Sequence, residues 1–240
     1  MNYKFDEIFD IEELRNICES FTELTGTTTS ILDLDNNVLI ATGWQPICTQ
    51  FHRINNHSSK RCTESNAELT KQLKEGKKYS LYKCKNGLMD VAMTIMVRNT
   101  HVGNFLTGQF LTEKPDVDFF RKQAENFGFN EHKYLAALEN VPVYNEEKIK
   151  KTIQFLVALT ETIGNIGARN LENIEINKQL ETDKKNISEA NKELQIAQKT
   201  LKENEEKFRN ITEQVTEMIF LTDDKSTIKY ISPSSNSIFG

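Results

Sequence analysis

No apolar run in this 240-residue chain approaches the ~18 residues that a membrane-crossing helix needs. The opening stretch, Met1 to Asp10, is mixed and acidic, unlike a secretory leader. A cytoplasmic protein with no membrane segment is the expectation. Basic excess is missing too. The net charge of −5 argues against a nucleic-acid partner, which would favour a basic face. There is no Gly-x-Ser-x-Gly, phosphate loop, dinucleotide fingerprint or His-Glu-x-x-His, so no enzymatic activity is expected of this segment and no cofactor is required. Cysteine is scarce. The 4 present include no Cys-x-x-Cys pair, which removes the usual structural-zinc spacing. In a reducing compartment they should be free thiols. The apolar share of 38% is below the usual globular value, so part of the chain should be exposed helix or linker.

Local signals are clearer. Asp10 with Glu13 makes a capping box, and Phe9 and Leu14 take the staple positions. Ile11, Leu14, Cys18 and Phe21 then recur at helical spacing until Gly26. Cys18 lies on that apolar stripe and reads as core. Thr27–Asp33 and Val38–Thr42 read as a hairpin about Asp35-Asn36-Asn37. Trp44–His57 is irregular or a short helix. Ser58 or Ser59 should cap a helix that ends near Gly76. Its inward face carries Cys62, Asn66, Leu69 and Leu73, and Lys60, Glu64, Glu68 and Lys71 face water. Tyr79–Cys84 and Leu88–Val97 are strands joined at Asn86-Gly87. In the second, Met89, Val91, Met93, Ile95 and Val97 share one face. After a turn at Asn99-Thr100, His101–Leu111 is a strand whose Gly103 and Gly108 suggest a bulge or a close approach. Two helices follow: Pro115–Gly128, with Val117, Phe120, Ala124 and Phe127 inward, and Asn130–Glu139.

Asn145 caps a much longer helix. Ile166, Asn173, Leu180, Ile187, Leu194, Leu201 and Phe208 recur every seven residues, with a weaker companion seam at Ile176, Asp183, Ala190, Ala197, Asn204 and Ile211. So polar a helix needs a partner to bury its leucines, and a homodimeric coiled coil is predicted. Met218–Asp223 and Thr227–Ser232 then read as two strands of a further domain, at which the sequence stops.

Three of the cysteines fall between Cys48 and Gly108, interleaved with His52, Asn66 and Asp90. Three chemistries are open. Cys48, His52, Cys62 and Cys84 would make a tetrahedral metal site if the fold gathered them. The same thiols beside Arg53 and Arg61 would make a redox sensor if cations lowered their pKa values. A small-ligand pocket is the preferred reading. Trp44, Phe51, Tyr82, Leu88, Phe105 and Phe110 are candidate walls, the cysteines line it, and Asn66, Asp90 and Gln109 bond a hydroxyl or amine.

Two resemblances sharpen this. Glu206–Ile211, Ile219–Asp223 and Ile228–Ser234 resemble the opening of a PAS domain, an arrangement found in sensor histidine kinases. Cys48, Arg61-Cys62 with Ser65-Asn66, Tyr82-x-Cys84, Gly87-Leu88-x-Asp90, Gly103 and Gly108-Gln109-Phe110 together resemble the PocR-type sensory domain over about residues 10–165. The chain differs from that pattern at Lys85-Asn86 and at Thr94-Ile95. The resemblance implies a PAS-like α+β fold, an antiparallel sheet with flanking helices, that binds small hydrocarbon-derived ligands such as short diols. The expected organisation is a sensory domain (1–165), a coiled-coil signalling helix (166–205) and the start of a PAS domain (206–240). The expected function is the sensory input module of a signal-transduction protein. It relays ligand binding through a dimeric helix, with a thiol redox or metal sensor as the alternative.

Overall fold

The computed structural model describes residues 3–74, 77–214, 217–232 and 235, without the side chains of 70–72 and 74. They form two compact units, Met1–Ile174 and Glu175–Gly240. The first opens with a four-residue helix, α1 (Phe5–Ile8), that carries no strong sequence signal. Then comes α2 (Ile11–Thr25), whose ends follow local chemistry. The Asp10 side chain accepts from the backbone N–H groups of Glu12 and Glu13, and Gly26 closes the helix in the left-handed conformation that glycine adopts without penalty.

Five strands follow: β1 (Thr28–Leu32), β2 (Val38–Thr42), β3 (Tyr79–Lys83), β4 (Met89–Val97) and β5 (Thr100–Phe110). They form one antiparallel sheet in the order β2-β1-β5-β4-β3. The chain closes the β1–β2 and β3–β4 hairpins locally, then threads β5 between them, so residues ~80 apart in sequence become neighbours at the sheet centre. The β4–β5 turn is Arg98-Asn99, both at positive φ, one residue earlier than expected. That two-residue mirror-image turn matches the strand twist. Between β2 and β3 lie a short π-helix (Cys48–His52) and α3 (Asn56–Lys74). The expected cap at Ser58 or Ser59 is corrected. Asn55 Oδ1 accepts from the N–H groups of His57 and Ser58, because the helix starts earlier. The expected stop at Gly76 and the outward direction of Lys71 lie outside the described residues.

Alternation along β4 sorts the core. Val91, Met93, Ile95 and Val97 are buried with Ile31, Ile40 and Phe105 against α2 and the start of the long helix. Ala92 faces the other way, onto Leu69 and Leu73 of α3, each such leucine contributing ~1.5–3 kcal/mol by burial. A third cluster joins Ile47, Cys48 and Leu88 to α4 (Val117–Phe127) and α5 (Glu131–Glu139). Val117 was expected inward but is 42% exposed. It is the first residue of α4, where the stripe has not yet turned toward the core, and Phe120 and Ala124 carry the contact.

The long helix, α6, runs Glu146–Gln214, and Asn145 Oδ1 caps it at Lys148 N–H, 2.8 Å. Within the first unit its Ile149, Ile153, Leu156, Ile163 and Leu171 are buried. At Gly164 the helix comes so close to the sheet that a Cβ would collide with the Met96 carbonyl, and at Gly167 one would strike Phe9 and Val97. In the second unit the rest of α6 is accompanied by a small antiparallel hairpin, β6 (Phe220–Thr222) and β7 (Ile228–Ile231). Its Tyr230 ring packs on Phe208 at 5.4 Å. Pro233 and Ser234 of the expected PAS opening lie outside the described residues. No described helix is long and apolar enough to cross a membrane.

Gly164→Ala sets two effects against each other. Alanine favours the helix by ~1 kcal/mol. The methyl group meets backbone, which cannot rotate away, and overpacking costs ~1–3 kcal/mol. Because the contact is with backbone, the cost falls at the upper end of that range, and a net loss of up to about 2 kcal/mol is expected in urea unfolding followed by Trp44, the single tryptophan. A variant as stable as the parent would mean that α6 withdraws from β4 freely.

Candidate functional site

The sheet, the π-helix and α3 enclose a cavity of about 40 Å³. At roughly 10–15 Å³ per water-sized group it holds about three such groups. Trp44, Cys48 and Arg53 come from the loop and π-helix; Cys62, Ser65 and Asn66 from α3; Cys84, Leu88 and Asp90 from the β3–β4 hairpin. Thr28, Ser30 and Thr107 through Gln109 come from β1 and β5, and His52 also reaches it. Seven of the nine residues expected to bind ligand therefore meet here. Phe51 and Tyr82 do not. Phe51 points away on the wide turn of the π-helix and packs edge-on against Tyr134 and Phe129, at 5.1 and 5.5 Å. Tyr82, on the edge strand, lies over the Leu69–Leu73 cluster instead.

A bulge builds the floor. Met89 pairs with Phe110 and Asp90 with Gly108, leaving Gln109 as the extra residue of β5. Gln109 sits at φ 57°, a left-handed conformation strained for a side chain of its size. The turned backbone donates its N–H to Asp90 Oδ1 (3.2 Å), and the Gln109 side-chain Oε1 accepts from Gln45 N–H (2.6 Å). Gly108 admits the carboxylate, since a Cβ there would collide with Asp90 and with the Met89 carbonyl. Thr28 Oγ1 donates to the Gly108 carbonyl at 2.8 Å, and Thr107 Oγ1 returns a bond to Thr28 O at 2.7 Å.

Behind the hairpin, Asn86 is buried and joins three elements. Its Nδ2 donates to Ser58 O (3.0 Å) and to Cys62 Sγ (3.2 Å), while its backbone carbonyl accepts from Gln123 Nε2 (3.1 Å). Ser65 Oγ accepts from Lys85 N–H at 3.0 Å. The Asn86-Gly87 turn thus holds α3 and α4 at fixed distance from the cavity.

Burial dominates the electrostatics. It raises the Asp90 carboxyl to about 6, although the Gln109 N–H, the Arg53 charge and the Cys84 thiol each pull it down. Burial also pushes Cys48, Cys62 and Cys84 above the ordinary thiol range, and the nearby Asp90 charge adds to this. The thiolate is the nucleophile and the metal ligand, so a redox or metal sensor needs the opposite shift. His52 is spoken for. Its Nε2 lies 2.7 Å from Tyr134 Oη and its Nδ1 3.9 Å from Cys48 Sγ, and burial lowers it to about 4, so the ring is neutral. Among the described residues no three His, Cys, Asp or Glu side chains converge on a point that could hold a metal ion.

Thr28, Ser30 and Thr107 were not expected at the site, Ser65 was singled out only through the family resemblance, and Arg53 only as a neighbouring charge. One signal was available. Thr27 to Ser30 is a run of buried hydroxyl residues that leads into a strand buried on both faces.

Comparison with known families gives one match. The model described as the sensory domain found in PocR covers residues 7–168, which include every residue lining the cavity. No curated protein and no solved structure matches.

The Asp90 shift makes a signed prediction. Its carboxyl titrates at about 6 in the fold against 3.8 when exposed, so between these values the folded chain holds a proton that the unfolded chain has lost. Stability therefore falls as pH rises through this window, by on the order of 2–3 kcal/mol in total. Asp90→Asn should flatten the urea midpoint between pH 4 and 6 and raise stability at pH 7. A pH profile unchanged by the substitution would contradict the burial argument.

Proposed function

This chain belongs to the PocR sensory-domain family, and from that premise we propose that its first unit binds a small organic ligand in the Asp90 cavity and passes occupancy to α6. The observation that carries this reading is the course of β4. Asp90 stands beside the cavity, and Met96 and Val97, roughly 20 Å along the same strand, lie under Gly164 and Gly167 of α6. A ligand that moves Asp90 bears on a strand to which the helix is fitted backbone to backbone. Signalling follows when the ligand binds one of two arrangements of that contact better than the other.

The relay continues through a homodimer. Along α6, Leu180, Ile187, Leu194 and Leu201 are each more than half exposed at seven-residue spacing. A second copy of the same helix would bury them as a coiled coil. In this reading the segment is the cytoplasmic, non-catalytic input of a two-component sensor: no chemical step is assigned to the cavity, and the output is a histidine kinase reached through a PAS domain that opens at residue 206.

Two measurements test the proposal. Sedimentation of the full chain at tens of micromolar should give a dimer, and replacing Ile187, Leu194 and Leu201 together by Ser should give the monomer mass. A monomeric parent chain would end the dimer relay. Thermal melts against short diols, amines, amino acids and organic acids should include at least one saturable stabilisation. Silence across that panel would favour a scaffold without a ligand.

A further inference from the structure

Two opposite charges line one small cavity, and neither forms an ion pair among the described residues. Arg53 holds its guanidinium 4.0 Å over the face of Trp44. Stacking leaves the N–H edge of the fork open, and none of its donors meets a protein acceptor among the described residues. Asp90 receives one backbone N–H, from Gln109, on Oδ1. The two groups influence each other through space without touching. Ser30, a residue 6% exposed, adds a hydroxyl on the β1 face of the same cavity, and its Oγ makes no protein hydrogen bond among the described residues.

We infer that the cavity takes a small zwitterion of the α-amino acid class, its ammonium on Asp90 and its carboxylate on the edge of Arg53. The inference rests on the reading that this cavity is the ligand site. Charge balance drives the choice. A simple acid would set a second anion near Asp90 where water is scarce, and a simple amine would meet Arg53. A diol would leave both formal charges without a counterion. A zwitterion matches both, and the carboxylate suits the planar fork of arginine. The ammonium carries three donors, which Asp90, Ser30 Oγ and Thr28 Oγ1 are placed to accept, since the Thr28 hydroxyl keeps its lone pairs while donating to Gly108 O. Glycine and alanine, the smallest members of the class, suit it best; their five and six non-hydrogen atoms exceed the roughly three water-sized groups that a volume of about 40 Å³ holds, so their binding must widen the cavity.

The test is isothermal titration of the full chain at pH 7.5 with glycine, L-alanine, ethanolamine, propionate and 1,2-propanediol. Glycine or alanine should bind at least tenfold more tightly than the other three. Arg53→Gln and Asp90→Asn should each weaken that binding tenfold or more, and Arg53→Lys, which keeps the charge, should restore part of it. Tightest binding of the diol, the amine or the acid would overturn the zwitterion inference and leave the ligand-site reading standing. No heat and no thermal shift with any of the five, nor with the wider panel, would overturn both. Unaltered glycine affinity in folded Arg53→Gln would also overturn the inference.

Discussion

One extra residue in β5 organises the first unit. Gln109 interrupts the central ladder and adopts a backbone conformation that costs ~1–3 kcal/mol. The distortion is held from two sides. Its N–H finds Asp90, and its side chain finds the Gln45 N–H. Gln45 in turn accepts the Cys48 and Thr49 N–H groups through its own carbonyl, at 2.9 and 3.1 Å. A single bulge therefore sets the start of the π-helix, and with it Cys48, His52 and Arg53. Remove the bulge and the register of β5 beyond Gly108 shifts by one, which turns Phe110 to the other face.

That dependence explains what was legible in advance. Signals that act within a few residues read directly: the Asp10 cap, the Gly26 stop, the Asn86-Gly87 turn and the alternation along β4. Each is decided by backbone preferences and one or two side chains. Cys62 and Asn66 also pointed inward as their spacing with Leu69 and Leu73 required, because a regular helix preserves phase. Phe51 escaped the same logic, since the π-helix changes the angle between successive residues. Arg53 and Ser30 escaped it too. Their places depend on pairing between strands far apart in sequence, which no local pattern encodes.

The long helix carries two stripes at once. Ile149, Ile153, Leu156, Thr160, Ile163 and Leu171 are buried in the first unit, and the heptad positions beginning at Ile166 lie elsewhere on its circumference. Read from the sequence, the two overlap between residues 163 and 176 and look like a single pattern. They differ in burial, the first covered within its unit and the second largely exposed. The first stripe packs on the sheet through small residues and branched aliphatics, and the second has the spacing of helix against helix.

The Arg98-Asn99 turn has a mechanical meaning. At that end of β4 and β5 the strands are joined by the shortest connection a hairpin allows, and Val102 makes another irregularity in the ladder nearby. At the far end stands the Gln109 irregularity. Two strands clamped at both ends cannot slide along each other, because every slip would have to undo a turn or a bulge. They can only bend or swing as one ribbon. A push at one tip is therefore delivered at the other as tilt, with little of it lost in shear along the way.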